Sequence, residues 1–340
     1  MNPQRFKRHM RKQAETLRRE GLIDADQFGD IAALYPTTAW DFSSLGRWFL
    51  FFGAVSAAIG IFILGAEIFE FTLEKLAIVL GVVIFGCFWL GRWAARRDLT
   101  WTGRSVELLG GLSIIGLTFT LGILYSSGSG NWPALLLIDL LVLLPLAYLL
   151  RNVLLLVLTV IVFFTWFGGV TGYISGWGAY FFGMNYPMRF LIAGILMAGM
   201  ALIHRRAEVD RLKAYDGFFK VWLSGGLFFA EMSLWLMSLF GNFGDIYSYY
   251  RESVAELFFF NILWAGFNVA LLILGAKYLV SMMRGYAITF LIIQAYTLFF
   301  WHIAGDLGFV LSTFIAGGAT LGLVFHLESR RRERKRAAAE

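Results

Sequence analysis

Two acidic residues, Asp139 and Glu231, stand inside long apolar runs of the sequence. A carboxyl group held in mid-membrane costs about 2.5 kcal/mol or more on insertion scales, so each calls for a compensating role. Two chemistries suit them. One is a polar path or proton-exchanging site between bundled helices, to which Asn261, Asn268 and Gln294 add hydrogen-bonding groups from later runs. The other is structural, a neutral carboxyl hydrogen-bonded to the next helix. Glu231 falls near the middle of its run, and the nearest cation in sequence, Lys220, is about 16 Å away along a helix rising 1.5 Å per residue.

A second group of candidates gathers at the end expected to face outward. His302 and Asp306 are four residues apart and share a face if the helix continues, which suits an interfacial hydrogen-bonded pair better than a metal, since two ligands do not make a zinc site. Trp177, Tyr180 and Tyr186 lie in a glycine-rich stretch without formal charge, as an aromatic belt or an outer-leaflet ligand site would require. His9 and His204 sit in basic stretches, and the sequence holds no HExxH, Walker loop or GxSxG elbow. No catalytic residue, metal or cofactor is therefore expected, and the balance leans away from an enzyme. The single cysteine, Cys87, rules out an internal disulfide.

The elements that position these residues follow from composition. The 340 residues are 59% hydrophobic and 15% charged, and the apolar residues form runs of the length that a hydrocarbon layer demands, about 20 residues of helix. Ten spans are predicted, at roughly 46–66, 76–93, 106–125, 133–150, 153–170, 188–203, 217–240, 256–276, 285–302 and 307–327. Only Arg151 and Asn152 divide the fourth from the fifth, but the combined run is too long for one crossing. The fold class is thus all-α, a polytopic transmembrane bundle. With both ends inside, all of the 29 Lys and Arg residues except Lys75, Arg189 and Arg251 fall on the cytoplasmic side, as the positive-inside rule requires. The net charge of +6 is therefore a topology signal, and nucleic acid is not an expected partner.

Ahead of the first span, Phe6, Met10, Ala14 and Leu17 recur at helical spacing among basic residues, Gly21 stops that helix, and Asp24 with Gln27 forms a capping-box pattern that opens a second. The expected organisation is a basic cytosolic helical hairpin over 1–44, the bundle over 45–328 and a basic tail over 329–340. The hairpin either closes its two apolar sides on each other or lies on anionic headgroups, a contact that the basic tail can share. No removable leader is expected in the polar first 45 residues.

The pattern of Leu17, Gly21, Leu22, Ile23 and Gln27, followed by a polar link, a Gly-rich first span and the acidic turn from Glu67 to Glu74, resembles the bacterial membrane-protein family known as domain of unknown function 2157. The resemblance covers roughly residues 10–150 and implies a multi-pass protein of a bacterial inner membrane, without a transferable activity.

Small residues spaced by four, at Gly53 and Ala57, Ser56 and Gly60, Gly194 and Ala198, Gly226 and Ala230, and Gly318 and Gly322, should let helices approach closely, within the bundle or at a homo-oligomer or membrane-partner interface. The bilayer is the one partner every reading shares. The leading functional expectation is a small-solute or lipid transporter-like bundle. Its alternative is a non-catalytic scaffold or sensor that recruits a partner through the hairpin.

Overall fold

The computed structural model describes residues 72–242 and 254–302 apart from positions 127, 179, 211 and 216, parts of 10–35, and scattered positions in 52–64 and 311–329. Among the described residues, seven helices are long and apolar enough to cross a membrane, and an eighth apolar helix, Pro133–Leu149, is shorter. These eight coincide with the second to ninth spans of the ten expected. The first and tenth, 46–66 and 307–327, fall largely outside the described residues, so the count that stands is seven to eight. No strand occurs among the described residues beyond an isolated Phe181–Met184 bridge. Large apolar side chains cover the outsides of the helices, with Phe85 75%, Ile78 68% and Leu196 68% exposed, a surface suited to lipid rather than water.

The chain divides into two compact units, Met1–Tyr125 and Ser126–Glu340. In the first, α1 (Ala25–Leu34) opens with the capping box read from the sequence: the Gln27 N–H donates to Asp24 Oδ1 at 2.7 Å and the Asp24 N–H to Gln27 Oε1 at 3.0 Å. Ahead of it, Ala14 is buried, and the Arg18 guanidinium lies 5.3 Å from the centre of the Phe28 ring, which ties the preceding helical turn to α1. The helices α2 (Leu73–Arg96) and α3 (Thr100–Leu124) form a hairpin through a turn at Asp98. They touch where a Cβ on Gly103 would come within 2.7 Å of the Gly91 carbonyl oxygen, so small residues set the approach. Glu107 is buried there, with one oxygen 3.9 Å from Arg92 Nε.

The second unit runs α4 (Pro133–Leu149), α5 (Val153–Ile174), α6 (Tyr186–Asp210), a short 3-10 turn over Lys213–Tyr215, α7 (Phe218–Phe240), α8 (Val254–Lys277) and α9 (Ser281–His302). Arg151 and Asn152 do divide α4 from α5. Asn152 is the N-cap, its Oδ1 accepting from the Leu154 N–H at 2.8 Å. The hub is α7, which packs on α5, α6, α8 and α9 and has the largest buried share of the apolar helices.

The tightest crossing in this unit is α6 on α7. A Cβ on Gly226 would lie 2.6 Å from the Ala198 nitrogen and 2.6 Å from the Gly194 oxygen, and one on Gly194 would lie 2.7 Å from the Gly226 oxygen. Two of the small-residue pairs read from the sequence therefore serve each other inside one chain.

Candidate functional site

At one end of α7, the fold converts helix termini into a hydrogen-bonded clasp. The Glu208 carboxylate, from the last turn of α6, accepts the Phe219 N–H at 2.7 Å and the Gly217 N–H at 3.1 Å, where the orphan donors and positive end of α7 favour an anion. Glu208 also meets His204 Nδ1 at 2.9 Å. The other ring nitrogen, Nε2, lies 3.0 Å from the Tyr148 hydroxyl of α4, which accepts from Trp222 Nε1 at 3.1 Å. Three helices are joined by this chain of polar atoms. Sequence reasoning left His204 in a basic cytoplasmic stretch, because the partner of its Nε2, Tyr148, comes from 56 residues away on α4.

The opposite end of α7 is tied by two asparagines. Asn242 Oδ1 accepts the Asn185 N–H at 2.9 Å, and Asn185 Nδ2 donates to the Gly241 carbonyl at 2.9 Å. Glu256 at the start of α8 accepts the Asn242 N–H at 2.6 Å. Arg189 is only 2% exposed, with its guanidinium 3.9 Å from the Tyr186 ring centre and its Nε donating to the Asn185 carbonyl at 3.2 Å. Counted from sequence among the three basic residues on the outer side, it lies in the first turn of α6 and is packed against Tyr186.

Between these ends lies Glu231. It is 0% exposed, as are Trp264 and Asn268 of α8. Trp264 Nε1 donates to Glu231 Oε2 at 2.8 Å, and Asn268 Nδ2 donates to the same oxygen at 3.3 Å while also donating to the Trp264 carbonyl at 3.1 Å. Glu231 Oε1 is buried without a hydrogen-bond donor among the described residues. The Oε2 donor Trp264 belongs to a buried apolar cluster with Leu234, Met237, Phe260 and Phe290.

Seven residues further along α7, about 10 Å, a second polar contact begins at Ser238. Asn261 Nδ2 donates to the Ser238 carbonyl at 3.1 Å and to the Leu257 carbonyl at 2.9 Å, and Gln294 Nε2 of α9 donates to the Asn261 carbonyl at 2.8 Å. Asn261, Trp264 and Asn268 recur at helical spacing on the face that α8 turns to α7. Beside this stripe, α7, α8 and α9 enclose a cavity of about 570 Å³, within the size range of small-molecule sites, with Asn261 and Gln294 in its wall.

Four of the five expected intramembrane residues, Glu231, Asn261, Asn268 and Gln294, are thus gathered on α7, α8 and α9. Asp139 is not among them. It is buried on α4, which packs chiefly along α5, while the hydrogen bonds to Glu231 come from α8.

Of the expected outward-facing residues, Trp177 stacks on Trp132 with centroids 5.8 Å apart, and the Tyr186 hydroxyl lies over Gly172, where a Cβ would collide with it. Tyr180 precedes the Phe181–Met184 bridge. Trp177 and Tyr186 thus pack at helix ends. The side chains of His302 and Asp306 lie outside the described residues, and among the described residues no three His, Cys, Asp or Glu side chains converge as a metal cage would require. The residue that sequence reasoning missed is Trp264. Its N–H is the shorter hydrogen bond to the carboxyl, and an indole in an apolar run reads as packing until its partner helix is known.

Residues 15–156 match the family described as predicted membrane protein (DUF2157). The chain is similar to that family over this stretch, which ends just inside α5 and leaves Glu231 and its partners outside the match. No curated protein and no solved structure matches the chain. The matched family and the apolar helices agree that this is a multi-pass membrane protein in contact with the lipid bilayer.

Proposed function

We propose that the chain is a small carrier-type bundle that binds an apolar or amphiphilic molecule in the cavity of α7, α8 and α9 and carries an exchangeable proton on Glu231. The observation that supports this most is the carboxyl itself. It is buried at mid-helix, accepts two N–H groups on Oε2 and has no donor on Oε1 among the described residues, in line with a polar stripe that ends at the cavity wall. A group needed only for packing gains nothing from an oxygen without a partner, whereas a proton-binding site needs a position for the proton. The charged and titratable residues on the packed helices include Arg189 on α6, Lys220 on α7, Glu256 and Lys277 on α8, and Arg284 and Tyr286 on α9, and the hydrogen bonds of Glu231 come from none of them.

The test is Glu231→Gln. The glutamine oxygen can keep both N–H bonds from Trp264 and Asn268, so the helices should assemble as in the wild type. Infrared titration of the membrane-embedded protein should then show a protonated-carboxyl band that changes with pH in the wild type and is missing in the variant. If the same titrating band persists in Glu231→Gln, Glu231 is not the exchanging group.

The location we propose is a bacterial inner membrane with both termini cytoplasmic, which the distribution of Lys and Arg supports. A scaffold role is favoured by a separate feature, the exposed Leu22 and Leu34 of the N-terminal region, 67% and 72% accessible, which give a partner an apolar surface.

A further inference from the structure

Cations from four helices gather at the end of the second unit where α7 begins. The Phe219 ring of α7 has the Arg205 guanidinium of α6 5.6 Å from its centre and the Lys220 ammonium 5.8 Å from it. Both fall within the roughly 6 Å over which a ring face attracts a cation. Arg205 Nη1 donates at 3.0 Å to the carbonyl of Tyr278, just past the end of α8, and the Lys277 ammonium lies 5.5 Å from the centre of the Tyr278 ring. Arg284 of α9 crosses α8 at Gly275, where a Cβ would come within 2.8 Å of its Cγ. Two aromatic rings and one glycine thus bring together charges that are scattered along the sequence.

These charges lack a matching acid. Among the described residues no carboxylate forms an ion pair with any of the four. Glu208, which accepts the Phe219 N–H, directs its oxygens to the start of α7 and to His204. The Tyr278 carbonyl takes only one of the five guanidinium N–H groups of Arg205, and the planar fork that remains suits a phosphate. Lys220, Lys277 and Arg284 are exposed. Like charges gathered in this way repel one another, and an anion among them relieves the repulsion.

The surroundings are apolar. Ile273 shares a face of α8 with Lys277, four residues on, and is 61% exposed, while Leu279 beside Tyr278 is 81% exposed. A soluble anion would leave these side chains uncovered, whereas a lipid brings both an anionic head and a chain to lie against them.

We propose that this cluster binds the headgroup of an anionic phospholipid. The phosphodiester oxygens accept from the Arg205 guanidinium and from the ammonium groups of Lys220 and Lys277, and an acyl chain runs along α8 beside Ile273. Basic pockets between helix ends on the cytoplasmic side suit such headgroups, and the topology proposed above places this end there. The residues of the cluster neither line the cavity nor bond to Glu231, so this site is independent of the carrier reading.

The full-length protein, purified in a mild uncharged detergent, is tested for equilibrium binding of tritiated phosphatidylglycerol and of phosphatidylcholine with the same acyl chains. Phosphatidylglycerol should bind about tenfold or more tightly, and the preference should shrink as salt rises. Lys220→Gln and Lys277→Gln should each weaken it roughly fivefold, the loss expected for one basic residue near the membrane surface. Both should leave phosphatidylcholine binding unchanged, which also shows that the variants are folded. Arg96→Gln on α2 removes an equal charge outside the cluster and should change neither lipid.

Equal binding of the two lipids would overturn the headgroup requirement. A loss in Arg96→Gln as large as in Lys277→Gln would assign the preference to the net charge of the protein and overturn the cluster as the site. Glycerol phosphate in excess should not displace phosphatidylglycerol, because it brings no chain to the apolar side chains. Displacement by it would identify a soluble phosphate as the occupant and overturn the lipid assignment.

Discussion

Replacing Gly226 by alanine adds one methyl group at the tightest crossing in the second unit. The new carbon would stand 2.6 Å from both the Ala198 nitrogen and the Gly194 oxygen, where contacts below 3.4 Å are already unusually tight. Both are backbone atoms of α6, so no side chain can turn aside, and the helices must part by roughly 0.8 Å over this contact. A gap of about 0.5–1 Å forfeits a quarter to a half of the dispersion attraction of each atom pair it separates. The net penalty is that of an overpacked core, about 1–3 kcal/mol. At about 2–4 °C per kcal/mol for a unit of this size, the midpoint of thermal unfolding should fall by roughly 2–12 °C. Size-exclusion profiles of the heated, detergent-solubilised protein measure this. The control is Gly199→Ala on the facing helix α6, where a Cβ meets nothing within 4 Å. It should be neutral, or more stable by up to about 1 kcal/mol from helix propensity. If Gly226→Ala survives heating as well as Gly199→Ala, the close approach of α6 and α7 is wrong.

Other changes probe other links. Glu208→Ala should lower the midpoint by the loss of an N-terminal cap, about 0.5–2 kcal/mol, and should release His204 from its carboxylate partner, which the nitrogen shifts of the imidazole would report. Asp24→Ala should cost α1 about 1 kcal/mol, read as faster hydrogen exchange of residues 25–34 with no change in the second unit. For the proposed topology, a phosphatase fused after Asp245 should be active and one fused after Arg211 inactive, and the reverse pattern would invert the orientation.

The sequence is most informative where one helix suffices to explain a residue. Eight apolar runs are long enough to be read as helices without knowledge of their neighbours, and Asn152 and Asp24 cap from their own local sequence. The stripe of Asn261 and Asn268 is visible from spacing, and Glu231 and Gln294 are conspicuous because polar groups are costly among apolar residues.

Pairing between helices is harder to read. In lipid the outer face of a helix is as apolar as its packed face, so periodicity does not say which helix comes opposite. That is why Asp139 and Glu231 look alike in the sequence and yet lie on different helix packets, and why Trp264 passes for packing. It is also why Tyr148, His204 and Glu208 become one hydrogen-bonded group only in the folded unit.

Exchange of a proton at Glu231 is the central step of the proposed function. Infrared titration of the protonated-carboxyl band in the membrane-embedded protein measures it directly. The wild-type band should change with pH, and it should be absent in Glu231→Gln. A Glu231 band that does not change between about pH 4 and 10 would contradict the proposed proton exchange.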